Sequence, residues 1–213
     1  MKLHYFPLST YSQKTLTALH ERQIDFEPVY VDLTTAEGRA AYKKIYPIGK
    51  IPLLVLDDGH LIPESTIIIE YIDKLPSAKG EALIPTEADA ARQTRFYDRV
   101  FDQYVNNPFQ KIFFDGRKPE SERDPAGVAV AKEQLDISYK LADKTLAGKT
   151  WIMGDRFSMA DCSLAPSLAY LRHTYPFDAY PNLVSYFGRV VERPSFAKVL
   201  AEAQPFIAKL MNK

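Results

Sequence analysis

The chain has 213 residues, of which 46% are hydrophobic and 25% charged, a composition that fits a globular protein of one or two domains. Lysine plus arginine and aspartate plus glutamate number 27 each, so the basic surplus typical of nucleic-acid-binding proteins is absent. A single cysteine, Cys162, excludes an internal disulfide, and no stretch is apolar for long enough to cross a membrane. We therefore expect a cytoplasmic protein that works with neither nucleic acid nor membrane.

The first half of the chain alternates between strand and helix patterns. Strand patterns cover residues 3–6, 26–31, 52–56 and 60–62, and helical patterns cover residues 12–22, 35–44 and 64–73. Asp57-Asp58-Gly59 between the last two strands is a strong hairpin signal. The order βαβαββα predicts one sheet with helices on its faces, and residues 1–76 resemble a thioredoxin-like α/β domain.

Residues 74–87 read as a linker because of their proline and glycine content, and residues 88–213 carry only helical patterns. The first long helical run is predicted to break at Asn106-Asn107-Pro108. Ser158 and Asp161 have capping-box spacing, with Phe157 and Cys162 placed as a hydrophobic staple. Further helix starts are predicted at Asp124-Pro125, Pro181 and Pro194. The second domain is therefore predicted to be all-helical.

Three short stretches of the first domain carry the functional signal. They are Ser9-Thr10-Tyr11-Ser12-Gln13-Lys14 after the first strand, Lys50-Ile51-Pro52-Leu53-Leu54-Val55, and Pro63-Glu64-Ser65 before an apolar helix. In this order, and followed by an all-helical half, they resemble the cytosolic glutathione transferases, and Ser9 resembles the catalytic serine of the serine-type members. The resemblance implies a homodimer that uses glutathione as co-substrate in detoxification.

The first stretch occupies the place of the Cys-x-x-Cys of thioredoxin-like redox proteins. Because Ser9 and Ser12 replace both sulfurs, thiol–disulfide exchange through this loop is excluded. A hydroxyl donor and a helix N-terminus can instead stabilise a bound thiolate, and the resemblance assigns this role to Ser9. Tyr5, Tyr11 and Ser12 are alternatives, and Ser9 or Ser12 could equally be a simple N-cap.

The other two stretches would hold the rest of glutathione. The resemblance implies that Pro52 is cis, that the backbone of Ile51 pairs with the cysteinyl residue as an added strand, and that Lys50 meets the glycine carboxylate. It also assigns Glu64 and Ser65 to the γ-glutamyl end, where a helix N-terminus suits a carboxylate. An ordinary strand-initial proline and a routine N-cap are the alternatives.

The helical domain is expected to supply the second substrate's site. We expect the electrophile to lie between the two domains, and the aromatic candidates for an apolar pocket are Phe101, Tyr104, Phe109 and Phe113. The run Gly154–Asp161 resembles the family's folding motif, so Asp161 is expected to be structural and Cys162 a buried apolar residue.

The favoured function is therefore glutathione conjugation to an apolar electrophile. The four histidines are scattered and no metal-ligand spacing is present, so we expect no metal. A maleylacetoacetate-isomerase-like enzyme is an alternative, although Thr10, Tyr11 and Lys14 depart from the Ser-Ser-Cys-Ser-x-Arg pattern of that class. A non-catalytic, transferase-like adaptor is the third hypothesis.

Overall fold

The computed structural model, which describes residues 1–211, divides the chain into two units. The sheet unit contains Met1–Ala82 together with the residues from Pro194 onward, and the helical unit contains Leu83–Arg193. The sequence pattern assigns residues 88–213 to one helical domain, whereas in the structure the last helix belongs to the sheet unit.

The sheet unit has the predicted element order βαβαββα. Its elements are β1 (Lys2–Tyr5), α1 (Thr10–Glu21), β2 (Glu27–Tyr30), α2 (Ala36–Lys43), β3 (Leu53–Val55), β4 (Leu61–Pro63) and α3 (Ser65–Ile72). The strand order in the sheet is β2-β1-β3-β4, with β1 parallel to β2 and the other two pairs antiparallel. This mixed sheet confirms the thioredoxin-like class.

The strand register brings three chain segments to one end of the sheet. His4 pairs with Leu53, and Leu53 pairs with Pro63 on its other side. Because β1 and β4 run towards this end while β3 starts from it, the segments after β1, before β3 and after β4 leave the sheet together. The predicted hairpin joins β3 to β4 at the opposite end, where Gly59 has a φ of 85°, a value that glycine adopts without strain.

Helices cover the sheet through their apolar sides. Helix α1 buries Leu16 and Leu19 and contacts α3, while Tyr42 of α2 packs with Val31 and Leu53. At the ends of α1 and α3, the Arg22 guanidinium forms a buried 2.9 Å ion pair with Asp73 and donates to the carbonyl oxygens of Lys79 and Gly80. These bonds hold the first part of the predicted linker within the sheet unit.

The helical unit begins with one long helical segment and continues through three further long helices. Its elements are α4 (Ala88–Phe101), a π-helical segment (Asp102–Asn106), α5 (Asn107–Asp115), a 3₁₀ turn (Glu120–Glu122), α6 (Pro125–Leu146), α7 (Met159–Thr174) and α8 (Pro181–Glu192). The helix start predicted at Asp124-Pro125 is confirmed, since the Asp124 carboxylate accepts a 2.9 Å hydrogen bond from the backbone N–H of Gly127.

The break predicted at Asn106-Asn107-Pro108 is wrong, because the helix widens into the π segment and continues. Pro108 has no N–H, so a regular α-helix would leave the carbonyl oxygen of Tyr104 without its usual donor. The Ser138 hydroxyl of α6 lies 2.7 Å from that oxygen and donates to it. A side chain from a neighbouring helix therefore satisfies the acceptor that the proline deprives of its partner.

The start of α7 is a buried capping box, as predicted. The Asp161 carboxylate accepts hydrogen bonds from the backbone N–H of Ile152 at 3.0 Å, and from the backbone N–H and the hydroxyl of Ser158 at 2.9 and 2.8 Å. Phe157 and Cys162 are both buried on either side of the cap, in the positions of a hydrophobic staple. Asp161 thus connects the start of α7 to the segment before it.

The last helix, α9 (Pro194–Met211), packs against α1 in the sheet unit. Phe196, Val199 and Ala203, spaced three and four residues apart, are buried. The Ser195 hydroxyl donates a hydrogen bond to the Glu21 carboxylate at the end of α1. Among residues 1–211, no helix is long and apolar enough to cross a membrane.

Candidate functional site

The loop between β1 and α1 forms the centre of the candidate site. The backbone N–H of Ser9 donates to the carbonyl oxygen of Phe6 at 2.9 Å, which closes a tight turn. Ser9 is the N-cap of α1, and its Oγ accepts a 3.3 Å hydrogen bond from the backbone N–H of Ser12. Its side chain remains partly exposed at the positive end of the helix.

The other hydroxyls of this loop have different surroundings. Ser12 is fully buried, and its Oγ accepts a 3.4 Å bond from the backbone N–H of Phe6. Tyr5 is buried, and its hydroxyl donates to the Glu202 carboxylate of α9. Burial, followed by this hydrogen bond, raises the pKa of Tyr5 well above its usual value. Tyr11 is partly exposed on the first turn of α1.

The Ile51–Pro52 peptide bond, at the start of β3, is cis, as the family resemblance implies. Ile51 is partly exposed and Lys50 exposed, and within residues 1–211 the backbone N–H and C=O of Ile51 have no hydrogen-bond partner. Tyr42, buried in α2, donates a 3.0 Å hydrogen bond to the carbonyl oxygen of Lys50. Sequence reasoning missed Tyr42, since only the fold brings it to this segment.

Glu64 and Ser65 form the junction between β4 and α3. Glu64 has a φ of 70° and a ψ of 121°, in a region where a residue other than glycine is strained by about 1–3 kcal/mol. Its side chain is exposed, while Ser65 is buried and has no partner for its hydroxyl in the part of the chain that the structure describes. The N-terminus of α3 therefore lies directly after β4 at this end of the sheet, beside the Ser65 hydroxyl.

Behind this junction, the two helices α1 and α3 are connected by a buried lysine. Lys14 is almost completely buried, and its Nζ donates a 3.0 Å hydrogen bond to the Oγ1 of Thr66. The bond places a positive charge next to the first turn of α3. The N-terminus of α3 and a nearby cation together form a surface suited to an anion.

The candidate aromatic residues of the helical unit do not share one surface. Phe101 is fully buried and stacks on Tyr97, so it belongs to the core. Tyr104 is 45% exposed in the π segment. Phe109 and Phe113 lie side by side with ring centroids 5.4 Å apart, and both contact Tyr170. Of these four residues, Tyr104 and Phe113 therefore present aromatic surface.

Asp161 and Cys162 lie away from any open surface. Both are fully buried at the start of α7, where burial raises the pKa of Asp161 to about 6 in spite of the hydrogen bonds that it accepts. Among the described residues, no group of three His, Cys, Asp or Glu side chains is arranged to hold a metal ion. Because Asp161 is fully buried and accepts hydrogen bonds from Ile152 and Ser158, it has the surroundings of a structural carboxyl group.

Comparisons with known proteins agree with this geometry. The model of the glutathione S-transferase N-terminal domain matches residues 3–80, and that of the C-terminal domain matches residues 104–194. Glutathione S-transferase 3 of Zea mays is 31% identical over 94% of this chain and 93% of its own length. Glutathione S-transferase GstB of Escherichia coli K12 is 28% identical over 90% of this chain and 93% of its own length.

A solved structure extends the similarity to three dimensions. A glutathione S-transferase from Methylobacillus flagellatus, crystallised with GSH bound, superposes with a TM-score of 0.83 at 30% sequence identity. The match covers 93% of this chain and 98% of that one, so it includes both units.

Proposed function

The chain belongs to the glutathione S-transferase family, and we propose that it binds glutathione at the end of its sheet and presents the thiolate to an apolar electrophile. The observation that carries this proposal is the register of β1, β3 and β4. It brings the Ser9 loop, the Ile51–Pro52 segment and the Glu64–Ser65 junction to the same end of the sheet. Three features that are far apart in sequence can then contact one tripeptide.

Ser9 activates the thiol in this proposal. Its Oγ uses a lone pair to accept the hydrogen bond from Ser12, which leaves the O–H free to donate to a sulfur. A hydrogen bond to a charged group contributes about 1.5–3 kcal/mol, and one pKa unit corresponds to about 1.36 kcal/mol. Ser9 would therefore lower the thiol pKa by about one to two units, and more thiolate would be present at neutral pH.

The alternative hydroxyls are less well suited to this role. The Tyr5 hydroxyl already donates a hydrogen bond to Glu202, and the Ser12 side chain is fully buried. Tyr11 stays the strongest rival because it is partly exposed on the first turn of α1. If the thiol of bound glutathione titrates in Tyr11→Phe as it does in the wild type, Tyr11 is not the activating residue.

The remaining groups bind the rest of the tripeptide. The unpaired backbone of Ile51 would pair with the cysteinyl residue, and the exposed Lys50 would meet the glycine carboxylate. Ser65 and the N–H groups of α3 would bind the γ-glutamyl carboxylate, while Glu64 accepts from the ammonium group. The backbone strain at Glu64 supports a binding role, because strain of this kind clusters where function requires it.

A cytoplasmic homodimer with a detoxifying role completes the proposal, as the family resemblance implies. Large apolar side chains are exposed in the helical unit, including Phe96 at 49% and both Val130 and Ile137 at 65%. Val130 and Ile137 lie seven positions apart on one face of α6, and an apolar helix face of this kind favours a protein contact. Light scattering that gives the mass of one chain would refute the proposed dimer. It would leave the proposed glutathione site unaffected.

Calorimetric titration with glutathione, combined with the ultraviolet absorbance of the thiolate against pH, tests the function directly. We expect binding with a thiol pKa clearly below its ordinary value of about 8.5. Ser65→Ala should weaken binding by about 1–3 kcal/mol, because the γ-glutamyl carboxylate loses a buried donor. Its thermal midpoint should stay near that of the wild type, since Ser65 has no partner within the described chain. Absence of glutathione binding by the wild type would refute the proposal.

A further inference from the structure

The carboxylate of Glu202, near the middle of α9, lies at the same end of the sheet as the candidate site. It accepts hydrogen bonds from the hydroxyls of Tyr5 and Tyr30, the latter at 3.2 Å. Tyr5 and Tyr30 are paired as the last residues of β1 and β2. One carboxylate of the last helix therefore holds the ends of two strands.

The same helix face also touches the loop that follows β1. Phe206 lies one helical turn after Glu202, and its ring contacts that of Phe6 edge to face with centroids 5.4 Å apart. A second ring contact joins Phe206 to Tyr30 at 5.8 Å. Glu202 thus reaches the residue before the loop, and Phe206 reaches the first residue of the loop.

The position of Phe6 determines where Ser9 lies. The carbonyl oxygen of Phe6 accepts from the N–H of Ser9 at 2.9 Å, and the N–H of Phe6 donates to the Oγ of Ser12 at 3.4 Å. In addition, the Gln13 side-chain amide donates to the carbonyl oxygen of Pro7 at 2.8 Å. A displacement of Tyr5 or Phe6 is therefore passed on to Ser9 directly, through the bond between the Ser9 N–H and the Phe6 carbonyl oxygen, and indirectly by way of Ser12.

On the premise of the proposed function, we propose that Glu202 and Phe206 are positioning residues, which hold the loop of residues 6–9 so that the Ser9 hydroxyl points at the glutathione thiol. Neither residue needs to touch glutathione. Tyr5 is suited to transmit the effect, because burial and its bond to Glu202 raise its pKa and keep it a donor at every working pH.

The neighbouring charged groups do not replace Glu202 as the acceptor for Tyr5. Glu21 accepts from the Ser195 hydroxyl at the start of α9, and Lys198 is exposed. His20 also lies near Glu202, and its pKa is lowered, mainly by burial. A substitution of Glu202 therefore removes an acceptor that no other acid on this face can supply.

Three substitutions on α9 test this role in the full chain, with glutathione itself as the probe. Glu202→Ala removes the acceptor, Glu202→Gln keeps an oxygen that can accept from Tyr5, and Gln204→Ala changes an exposed residue of the same helix. The pKa of bound glutathione is read from the thiolate absorbance. We expect Glu202→Ala to raise the pKa of bound glutathione by about half a unit or more. At pH values below that pKa, this corresponds to about a threefold loss of thiolate. Glu202→Gln and Gln204→Ala should stay close to the wild type.

A merely structural role would lower the thermal midpoint of Glu202→Ala and leave the thiol pKa unchanged, and this result would overturn the inference. If Glu202→Ala does not fold, Tyr5→Phe keeps the ring and removes only the donor. It should produce the same shift, and the shift should not grow when Glu202→Gln is added. An unshifted pKa in Tyr5→Phe would equally overturn the positioning role.

Failure of the proposed function has a different signature. If the wild type does not bind glutathione, both the function and the positioning role are refuted. If the wild type binds with a lowered thiol pKa and Ser9→Ala raises it, an unshifted Glu202→Ala refutes the positioning role alone.

Discussion

Ser9 combines two hydrogen-bonding functions in one hydroxyl group. As an N-cap it accepts from the Ser12 N–H, and as a thiol activator it would donate to sulfur. The two functions use different parts of the hydroxyl, a lone pair and a proton, so the structural role of Ser9 does not argue against the chemical one.

Substitutions at Ser9 can separate these two functions. Ser9→Ala should lower the free energy of unfolding by about 0.5–2 kcal/mol, while Ser9→Gly should lower it by only a few tenths, since glycine is a tolerated N-cap. Both should raise the pKa of bound glutathione by about one to two units, because both lack the donor. Ser9→Thr keeps the hydroxyl and should titrate like the wild type. A thiol pKa in Ser9→Gly that is as low as in the wild type would transfer the activating role to Tyr11.

Tyr42 is the residue that fixes the segment before Pro52. Its hydroxyl donates to the carbonyl oxygen of Lys50, next to the backbone groups proposed to bind the cysteinyl residue. Tyr42→Phe removes this bond alone, and we expect glutathione affinity to fall by about 0.5–1.5 kcal/mol while the thiol pKa is unchanged.

Tyr46→Phe is the matched control, because Tyr46 packs against the same apolar cluster. Calorimetry on the two variants measures the difference. Equal affinities in both would mean that the Lys50 carbonyl does not need its donor.

The site residues differ in how far sequence alone could reveal them. Ser9, Pro52 and Ser65 lie in short local patterns, and the sequence predicts their roles because those patterns resemble the motifs of the glutathione transferases. Tyr42 and Glu202 act through contacts that only the folded sheet unit creates, Glu202 across 197 positions of the chain to Tyr5. No local pattern distinguishes such a glutamate from any other on a helix surface.

The helical elements show the same division between local and distant causes. Asp124, Ser158 and the prolines after 124 and 180 mark helix starts that the structure confirms, because capping is decided within one turn. Pro108 was a misleading signal, since its effect on the helix depends on Ser138 of another helix. A proline marks a local conflict, but the neighbours decide whether the helix ends there.

Asp161 gives the cap of α7 an unusual pH dependence. Its pKa is raised to about 6 in the folded protein, above the ordinary value of 3.8, because burial penalises the charged form. The folded state therefore binds its proton more tightly than the unfolded state does. The stability that this group contributes is present below pH 4 and is lost as the pH rises through 6.

Asp161→Asn tests this sign, because asparagine cannot ionise. We expect the free energy of unfolding of the wild type, relative to the variant, to fall by about 2–3 kcal/mol between pH 4 and pH 7. Urea unfolding at several pH values measures the difference, in which groups common to both proteins cancel. Parallel profiles for the two proteins would show that the carboxyl group does not titrate in this range.

At the scale of the whole molecule, the sheet unit depends on a segment from the far end of the sequence. Phe196, Val199 and Ala203 of α9 are buried. Glu202 accepts hydrogen bonds from Tyr5 and Tyr30, and Ser195 donates one to Glu21. Sequence order could not indicate this, since a helix that follows other helices gives no sign of which unit it joins.

Removal of the residues from Pro194 onward should therefore damage the unit that contains the first strand. Loss of a buried Phe costs about 3–5 kcal/mol, so we expect β1 to lose its protection against hydrogen exchange while α7 keeps most of its own. Hydrogen exchange followed by mass spectrometry compares the two elements within one sample. Loss of protection that is greater in α7 than in β1 would contradict the assignment of α9 to the sheet unit.

The division of the sheet unit between early and late segments also has a consequence for synthesis on the ribosome. The strands leave the ribosome before the helical unit, but their partner helix is made only after the whole of Leu83–Arg193. At about 5–20 residues per second, translation of the intervening segment takes on the order of ten seconds. During that time the helical unit can be completed, whereas the nascent sheet still exposes the apolar surface that α9 will cover. The sheet is thus translated before the helical unit but matures after it, and during those seconds its exposed apolar surface is a binding site for chaperones.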